Sequence, residues 1–349
     1  MSTTWIIVAL ILGFIVVFQI AKASEYVAIL RGEEKTRKEH NRINAFLLLV
    51  FLVVGLFGVW YCNERLKGKI LPESASEHGE RIDNMMWITL AITGIVFFIT
   101  QILLFWFAYK YQEREDRKAY YFPHNNKLEV IWTVIPAITL TILVGFGLYY
   151  WFQITGEAPK DAQAIEVTGK QFGWEFRYPG KDNIFGRKYF KNIDEAKSNP
   201  LGQIWEDPAN RDDIYASQTV HIVVNKPVKF IINSKDVIHD FGLSHFRLKM
   251  DAVPGTPTTM WFTPKFTTKQ MKEKYGDDFT YEISCDQMCG RGHYTMRGVI
   301  VVESQAEFDA WMAQQKPQYE AATGGNNPAP ANAAPKTDST AKVTAALIK

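Results

Sequence analysis

The chain has 349 residues, 47% of them hydrophobic, and its 39 Lys and Arg nearly balance 37 Asp and Glu. A net charge of +2 excludes the strong basic excess of a nucleic-acid binder, and three cysteines are too few for a disulfide scaffold. Charge is absent from four long stretches and crowded between them, which excludes a wholly soluble globule.

Those stretches cover residues 2–21, 43–62, 85–109 and 130–156, the last with its apolar part ending near Phe152. A helix of about 20 apolar residues crosses a hydrocarbon core and bonds its own backbone inside it. Four transmembrane helices are therefore predicted. Trp5, Trp60, Tyr61, Trp87, Tyr109, Tyr149, Tyr150 and Trp151 sit near their ends, where interfacial aromatics collect. A cleaved signal peptide is the alternative for the first stretch, but the basic leader and small-residue cleavage site are missing. Cys62 follows Val59-Trp60-Tyr61, a poor lipoprotein signal, and reads as an interfacial thiol.

The first loop carries Lys22, Arg31, Lys35, Arg37, Lys38 and Arg42, and the third Lys110, Arg114, Arg117, Lys118 and Lys127. The second has only Arg65, Lys67, Lys69 and Arg81. Positive charge collects on the cytoplasmic side, so loops one and three are assigned there and everything after about residue 153 outside.

From 157 to about 314 the pattern becomes short β-type runs: Ile165–Thr168, Phe172–Tyr178, Val220–Val224, Val228–Asn233, Thr258–Phe262, Thr280–Ile283 and Gly298–Val302. Phe172, Trp174, Phe176 and Tyr178 alternate and are expected on one strand face. Pro179-Gly180 and Pro254-Gly255-Thr256-Pro257 punctuate the gaps, and the whole predicts a β-sandwich or barrel. Residues 182–215 break the rhythm and read as an insertion. Ser304 with Glu307 forms a capping box for a short helix through Trp311. This region holds 22 acidic and 20 basic residues, and its pairs Glu206-Asp207, Asp212-Asp213 and Asp277-Asp278 read as solvated surface. Residues 315–349, rich in Ala, Pro, Asn, Gly and Thr, are expected to be a disordered tail.

The run Cys285-Asp-Gln-Met-Cys289-Gly-Arg-Gly-His293-Tyr-Thr-Met296 carries the chemistry. Thiolate and imidazole suit copper or zinc; the thioether favours copper, and the cysteine spacing is not that of a paired zinc knuckle. One more imidazole is wanted, from His221, His239 or His245. The competing reading is a Cys285–Cys289 disulfide, which an oxidising compartment allows. Met288 reads as packing.

This run resembles the dinuclear copper A motif of cytochrome c oxidase subunit II. Asp236-Val-Ile-His239 and Lys249-Met-Asp251-Ala-Val-Pro254-Gly255 are similar to that family's segments, and Glu129-Val-Ile-Trp132-Thr-Val-Ile-Pro136-Ala resembles its second-helix signature. The resemblance spans about residues 85–304. It implies a cupredoxin-like β-barrel (157–314) outside a transmembrane helical hairpin (85–152). It implies two copper ions bridged by Cys285 and Cys289, with His239, His293, Met296 and the backbone carbonyl of Gln287 completing the set. It also implies electron acceptance from a cytochrome c-type donor and delivery to haem in subunit I. Oxygen is reduced there, with proton translocation, in a complex that includes subunit III and sits in the bacterial inner membrane. Glu129 would feed protons into the lysine-type channel of subunit I; its plainer role is to interact with the helix N-terminus.

The sequence departs from the family in three places. Phe172 stands where the family has the tryptophan that receives electrons, so Phe172 and Trp174 are both candidates for entry. Gln287 replaces a glutamate that reaches magnesium at the subunit I boundary, and a neutral amide suits a hard cation less well. Residues 1–62 add two helices to the usual two, expected to pack against extra subunits or a neighbouring respiratory complex. The rival readings are a copper-free quinol oxidase subunit II, a membrane-anchored copper carrier or chaperone, the copper domain of nitrous oxide reductase, and a structural protein with an exported disulfide-linked domain. No Cys-x-x-Cys-His occurs, so no covalent haem is expected.

Overall fold

The computed structural model describes residues 3–69, 71–114 and 116–324. The chain divides into two compact units. One takes in the chain up to Glu73 together with Glu80–Gln153, and the other Ser74–Gly79 with the chain from Ile154 onward.

The first unit is helical: α1 (Thr3–Arg31), α2 (Glu33–Leu66), α3 (Glu77–Lys110) and α4 (Asn126–Thr155). All four are long and apolar enough to cross a membrane. Their large side chains, such as Phe14, Val53, Ile95 and Ile138, are exposed in the isolated chain, as lipid-facing surface must be. Gly32 separates α1 from α2 at φ 88°, a left-handed conformation that glycine adopts without Cβ strain. α2 runs alongside α3, with Phe51 and Phe105 ring centroids 5.7 Å apart. At one end of this pair Asn41 donates to Glu113 (3.3 Å) and Arg37 lies 3.6 Å from it. The first and third loops thus share a side, in keeping with their common excess of positive charge.

The second unit is a two-sheet β-structure. Its strands are β1 (Gln163–Lys170), β2 (Gly173–Tyr178), β3 (Ile214–Ser217), β4 (Thr219–Val223), β5 (Val228–Ser234), β6 (His239–Leu243), β7 (Leu248–Ala252), β8 (Thr258–Phe262), β9 (Tyr281–Cys285) and β10 (Gly298–Glu303). One sheet has the order β3-β2-β1-β5-β8 and the other β4-β10-β9-β6-β7. The parallel pairs β1–β5 and β4–β10 bring distant segments together within each sheet. Between the sheets lies a core of alternating inward residues: Trp174, Phe176, Phe230, Phe241, Phe262, Tyr281 and Ile300 are all fully buried. Trp174 and Phe230 each meet Phe241 edge-on, with centroids 5.1 and 5.3 Å away.

Three strands escaped the sequence reading. β6 (His-Asp-Phe-Gly-Leu) and β7 (Leu-Lys-Met-Asp-Ala) carry residues with weak strand preference, and β3 has four residues at the end of the insertion. Phe172 also differs from expectation. β2 begins at Gly173, so Phe172 lies in the turn before it and shares no strand face with Trp174.

Every residue of β2 is buried, on both faces. The outward Glu175 and Arg177 are covered by the insertion, which is built from short 3-10 turns at 190–192, 195–197 and 208–210. Arg177 bonds Glu166 (2.7 Å), Asp213 (3.0 Å), Asn210 (3.0 Å) and the carbonyl of Gly186 (3.0 Å). Asp213 is therefore buried rather than solvated, and burial pushes its carboxyl up to about 7. Asp212 accepts from backbone N–H groups of Lys181 and Asp182, and Asp207 pairs with Arg187. These members of the acidic pairs serve the insertion's own fold.

The capping box forms as read: Ser304 and Glu307 bond reciprocally at the start of α6 (Gln305–Ala313). α5 (Thr268–Tyr275) starts with a second box, Thr267 with Gln270. The expected tail begins too early. Gln318–Thr323 forms α7, Tyr319 is buried, and Gln318 N–H donates to Asp213 O at 2.9 Å. An aromatic anchor and a backbone bond to the insertion order this segment; residues 325–349 lie outside the described residues.

Ser74–Gly79 joins the β unit. Ala75 is fully buried among core residues, and its N–H and C=O bond His245 O (2.9 Å) and Lys265 N (2.8 Å). Ser76 Oγ donates to Phe246 O at 2.7 Å.

Candidate metal centre

β6 starts at His239 and β9 ends at Cys285, so strand termini bring these side chains together. Phe241 is paired with Cys285 across the two strands. The loop after β9 turns back through Cys289 and a 3-10 turn at His293–Thr295 before β10. Six donors of the sequence reading converge as a result. Cys285 Sγ lies 3.8 Å from Cys289 Sγ, 3.9 Å from His239 Nδ1 and 3.2 Å from the carbonyl of Gln287. Cys289 Sγ lies 3.6 Å from His293 Nδ1 and 3.8 Å from Met296 Sδ. Among the described residues, the ligand atoms of His239, Cys285 and Cys289 lie within 4.8 Å of one another, and all three residues are buried.

Both cysteines are free. Burial, then the neighbouring Cys285, pushes the Cys289 thiol up to about 11. Without a cation the Cys289 sulfur thus holds its proton, and a metal that binds there must displace it. Two thiols, two imidazole nitrogens, a thioether and a carbonyl around one spot make a soft, nearly closed donor set. It fits copper ions better than a hard cation.

His239 is oriented from behind. Its Nε2 meets Asp236 Oδ1 at 2.8 Å, which leaves Nδ1 facing Cys285. A carboxylate on the far ring nitrogen is the usual support of a metal-binding imidazole. Although burial opposes it, the Gln171 N–H and the His239 ring hold the Asp236 carboxyl below its ordinary range. The other histidine candidates are engaged elsewhere. His221 bonds Glu303 (2.8 Å) and stacks on Trp311, centroids 4.1 Å apart. His245 is enclosed by Phe279 and Tyr281, and burial lowers its pKa.

Of the two aromatic candidates, Trp174 is fully buried with its ring centroid 6.1 Å from that of His239, whereas Phe172 is 38% exposed. The Phe172 ring lies on the loop: a Cβ on Gly292 would meet its Cδ2 at 2.5 Å. Met288 is 74% exposed and neither packs nor points inward. Glu129 sits in the first turn of α4, where its carboxylate accepts the N–H of Asn125 (3.3 Å). Sequence reasoning passed over Asp236 as a support for His239, although Asp-x-x-His was visible, and over Gln171, for which no local signal exists.

Two family models match the chain. The transmembrane domain of cytochrome c oxidase subunit II matches residues 65–149, and the periplasmic domain of that subunit matches 163–305. An alternative cytochrome c oxidase subunit 2 from Bradyrhizobium diazoefficiens is 36% identical over 236 residues, 67% of this chain and 80% of the relative. A cytochrome c oxidase subunit 2 from Cereibacter sphaeroides is 28% identical over 237 residues, 66% of this chain and 74% of the relative. A solved periplasmic domain of subunit II of cytochrome oxidase from Bradyrhizobium japonicum is 23% identical and has a TM-score of 0.32, covering 45% of this chain and 95% of that one.

Proposed function

Since the chain belongs to the cytochrome c oxidase subunit II family, we propose that it is the electron inlet of a haem–copper oxidase. It is a membrane-anchored subunit with a cupredoxin-like domain outside the bilayer. In this reading the domain lies in the periplasm of a bacterium. A cytochrome c-type donor docks on it and passes single electrons to a dinuclear copper A centre. They continue to haem in subunit I, where oxygen becomes water and protons are translocated.

The observation that carries this reading is the convergence of His239, Cys285, Cys289, His293, Met296 and the Gln287 carbonyl on one buried spot. Copper held there by Cys285, Cys289, His239, His293, Met296 and the Gln287 carbonyl would supply a one-electron relay. The protein's part is to keep that set rigid. His239 and Cys285 sit at the ends of paired strands, and Asp236 fixes the imidazole. Buried Met296 and the aromatic core beneath exclude water. A loop so held changes little when the electron count changes, and no general base or open ligand position is required. Phe172, the exposed aromatic of the β1–β2 turn that rests against that loop, takes the electron-entry role; Trp174 packs beneath the ligands. Glu129, at the cytoplasmic start of α4, serves proton uptake. Subunit III completes the complex, and Gln287 leaves magnesium at the subunit boundary without its charged ligand.

Metal analysis with electron paramagnetic resonance on the purified protein tests the reading. Two coppers per chain, sharing one unpaired electron in the partly oxidised form, are expected, and Cys289→Ser should abolish that signal with the helices still inserted. A metal-free protein with Cys285 and Cys289 joined in a disulfide would overturn it, as would zinc or a single copper.

A further inference from the structure

One residue outside the ligand set touches both the metal loop and the support of a ligand. Gln171 Nε2 donates to the backbone carbonyl of Cys289 at 2.6 Å. Its own backbone N–H donates to Asp236 Oδ2 at 2.7 Å, and the other oxygen of that carboxylate meets His239 Nε2 at 2.8 Å. Gln171 also immediately precedes Phe172 in the two-residue turn between β1 and β2. The loop is shaped to receive this turn. A Cβ on Gly290 would meet Gln171 Nε2 at 2.8 Å and Phe172 Cζ at 3.1 Å, and one on Gly292 would strike the Phe172 ring. Gly290 has φ 132°, so its lack of a side chain serves both the backbone and the contact.

We propose that Gln171 is a positioning residue. Its amide clasps the Phe172 turn to the Cys289 carbonyl while its backbone steadies Asp236 behind His239. An electron arriving at Phe172 then crosses a fixed contact to the Cys289 side of the centre. The donor loses one electron and the centre gains one; no bond is made or broken and no proton moves. This inference rests on reading residues 239, 285, 289, 293 and 296 as metal ligands. It deepens that reading by assigning the clasp that sets electron entry.

The two-residue turn is held where its strands end and by the Gln171 N–H bond to Asp236. The Phe172 ring rests on glycine backbone, which offers little contact area, so the amide–carbonyl bond is the directional restraint between the turn and the metal loop. It is exposed enough that water competes, and its net worth is that of one ordinary hydrogen bond. Losing it shifts the ratio of clasped to free turn by about two- to tenfold, without opening the core.

The test uses the intact purified oxidase complex, with reduced cytochrome c as the probe in stopped flow. Gln171→Leu removes the donor, Gln171→Glu keeps the shape but faces the carbonyl with an acceptor, and Gln171→Lys keeps a donor at similar reach. Copper content and the paramagnetic resonance pattern should be retained in all three. The rate of copper reduction should fall by about two- to tenfold in Q171L and at least as far in Q171E, and recover in Q171K. Measurement at high salt keeps the added charges from dominating donor docking. An unchanged rate in Q171L, or a Q171K protein as slow as Q171L, with copper in place, overturns the clasp alone. A wild-type protein without copper overturns the ligand reading and this inference with it.

Discussion

Arg177→Met isolates the device that seats the insertion on the barrel. Methionine roughly matches the length of the arginine stem but offers no cation. Glu166 keeps Lys188, whose Nζ is 2.5 Å away, while Asp213 retains the Gln203 amide at 3.3 Å and a backbone N–H of Gly186 but no cation. Removing one partner of a buried ion pair costs about 3–5 kcal/mol. For a domain of this size that is a fall in Tm of roughly 6–20 °C. The cost depends on pH. Burial raises Asp213 from 3.8 to about 7 in the folded state, so its protonated form is favoured by folding. That contribution is fully present below about pH 4 and is lost as pH rises through about 7. The Arg177→Met penalty should therefore be smaller near pH 6 than near pH 8, where the carboxylate is charged and without its cation. Adding Asp213→Asn should recover much of the loss, since an amide needs no counter-charge. Thermal unfolding of the detergent-solubilised protein at both pH values, with proteolysis of 182–212 as a local probe, measures each quantity. A Tm shift under about 2 °C at both pH values, or penalties for the two substitutions that simply add, would refute the argument.

Phe172→Ala should slow reduction by cytochrome c with little change in Tm, whereas Trp174→Ala, which empties a fully buried site, should cost about 3–5 kcal/mol in denaturant unfolding. The reverse pattern would assign entry to Trp174. Ser304→Ala removes the oxygen that accepts from Glu307 N–H and should cost about 0.5–2 kcal/mol in the same assay. Glu129→Gln should lower oxidase turnover with copper and haem content intact. Unaltered turnover, with a stability change of only about 0.3–1 kcal/mol, would leave Glu129 as a helix-terminus residue.

The helices were legible because twenty uncharged residues in a row have few other fates. The donor cluster was legible because five of its six members fall from Cys285 to Met296, where one loop must gather them. His239 could only be shortlisted with His221 and His245, since a strand end brings it across and no local pattern records that. β6 was hidden for a related reason. Its His serves the site, its Asp pairs with Lys249 and its Gly makes room for Ser284, and its place is held by pairing with β7 and β9. Arg177 meets Asp213, 36 residues on, and Gln171 meets Cys289, 118 residues on. Both are contacts of the folded chain that no spacing announces.

The segment Ser74–Gly79 has a consequence for biogenesis. Ser76 bonds Phe246, 170 residues further along, and Ala75 plugs the core that the later strands build. Between the two ends of that seam the ribosome must deliver α3 and α4, so the seam closes only once both have been synthesised. Contacts of such separation form late, after their loop entropy has been met. A barrel translated from residue 157 alone would lack its plug. In the full chain, the β unit is complete only when a segment that precedes both helices joins strands that follow them.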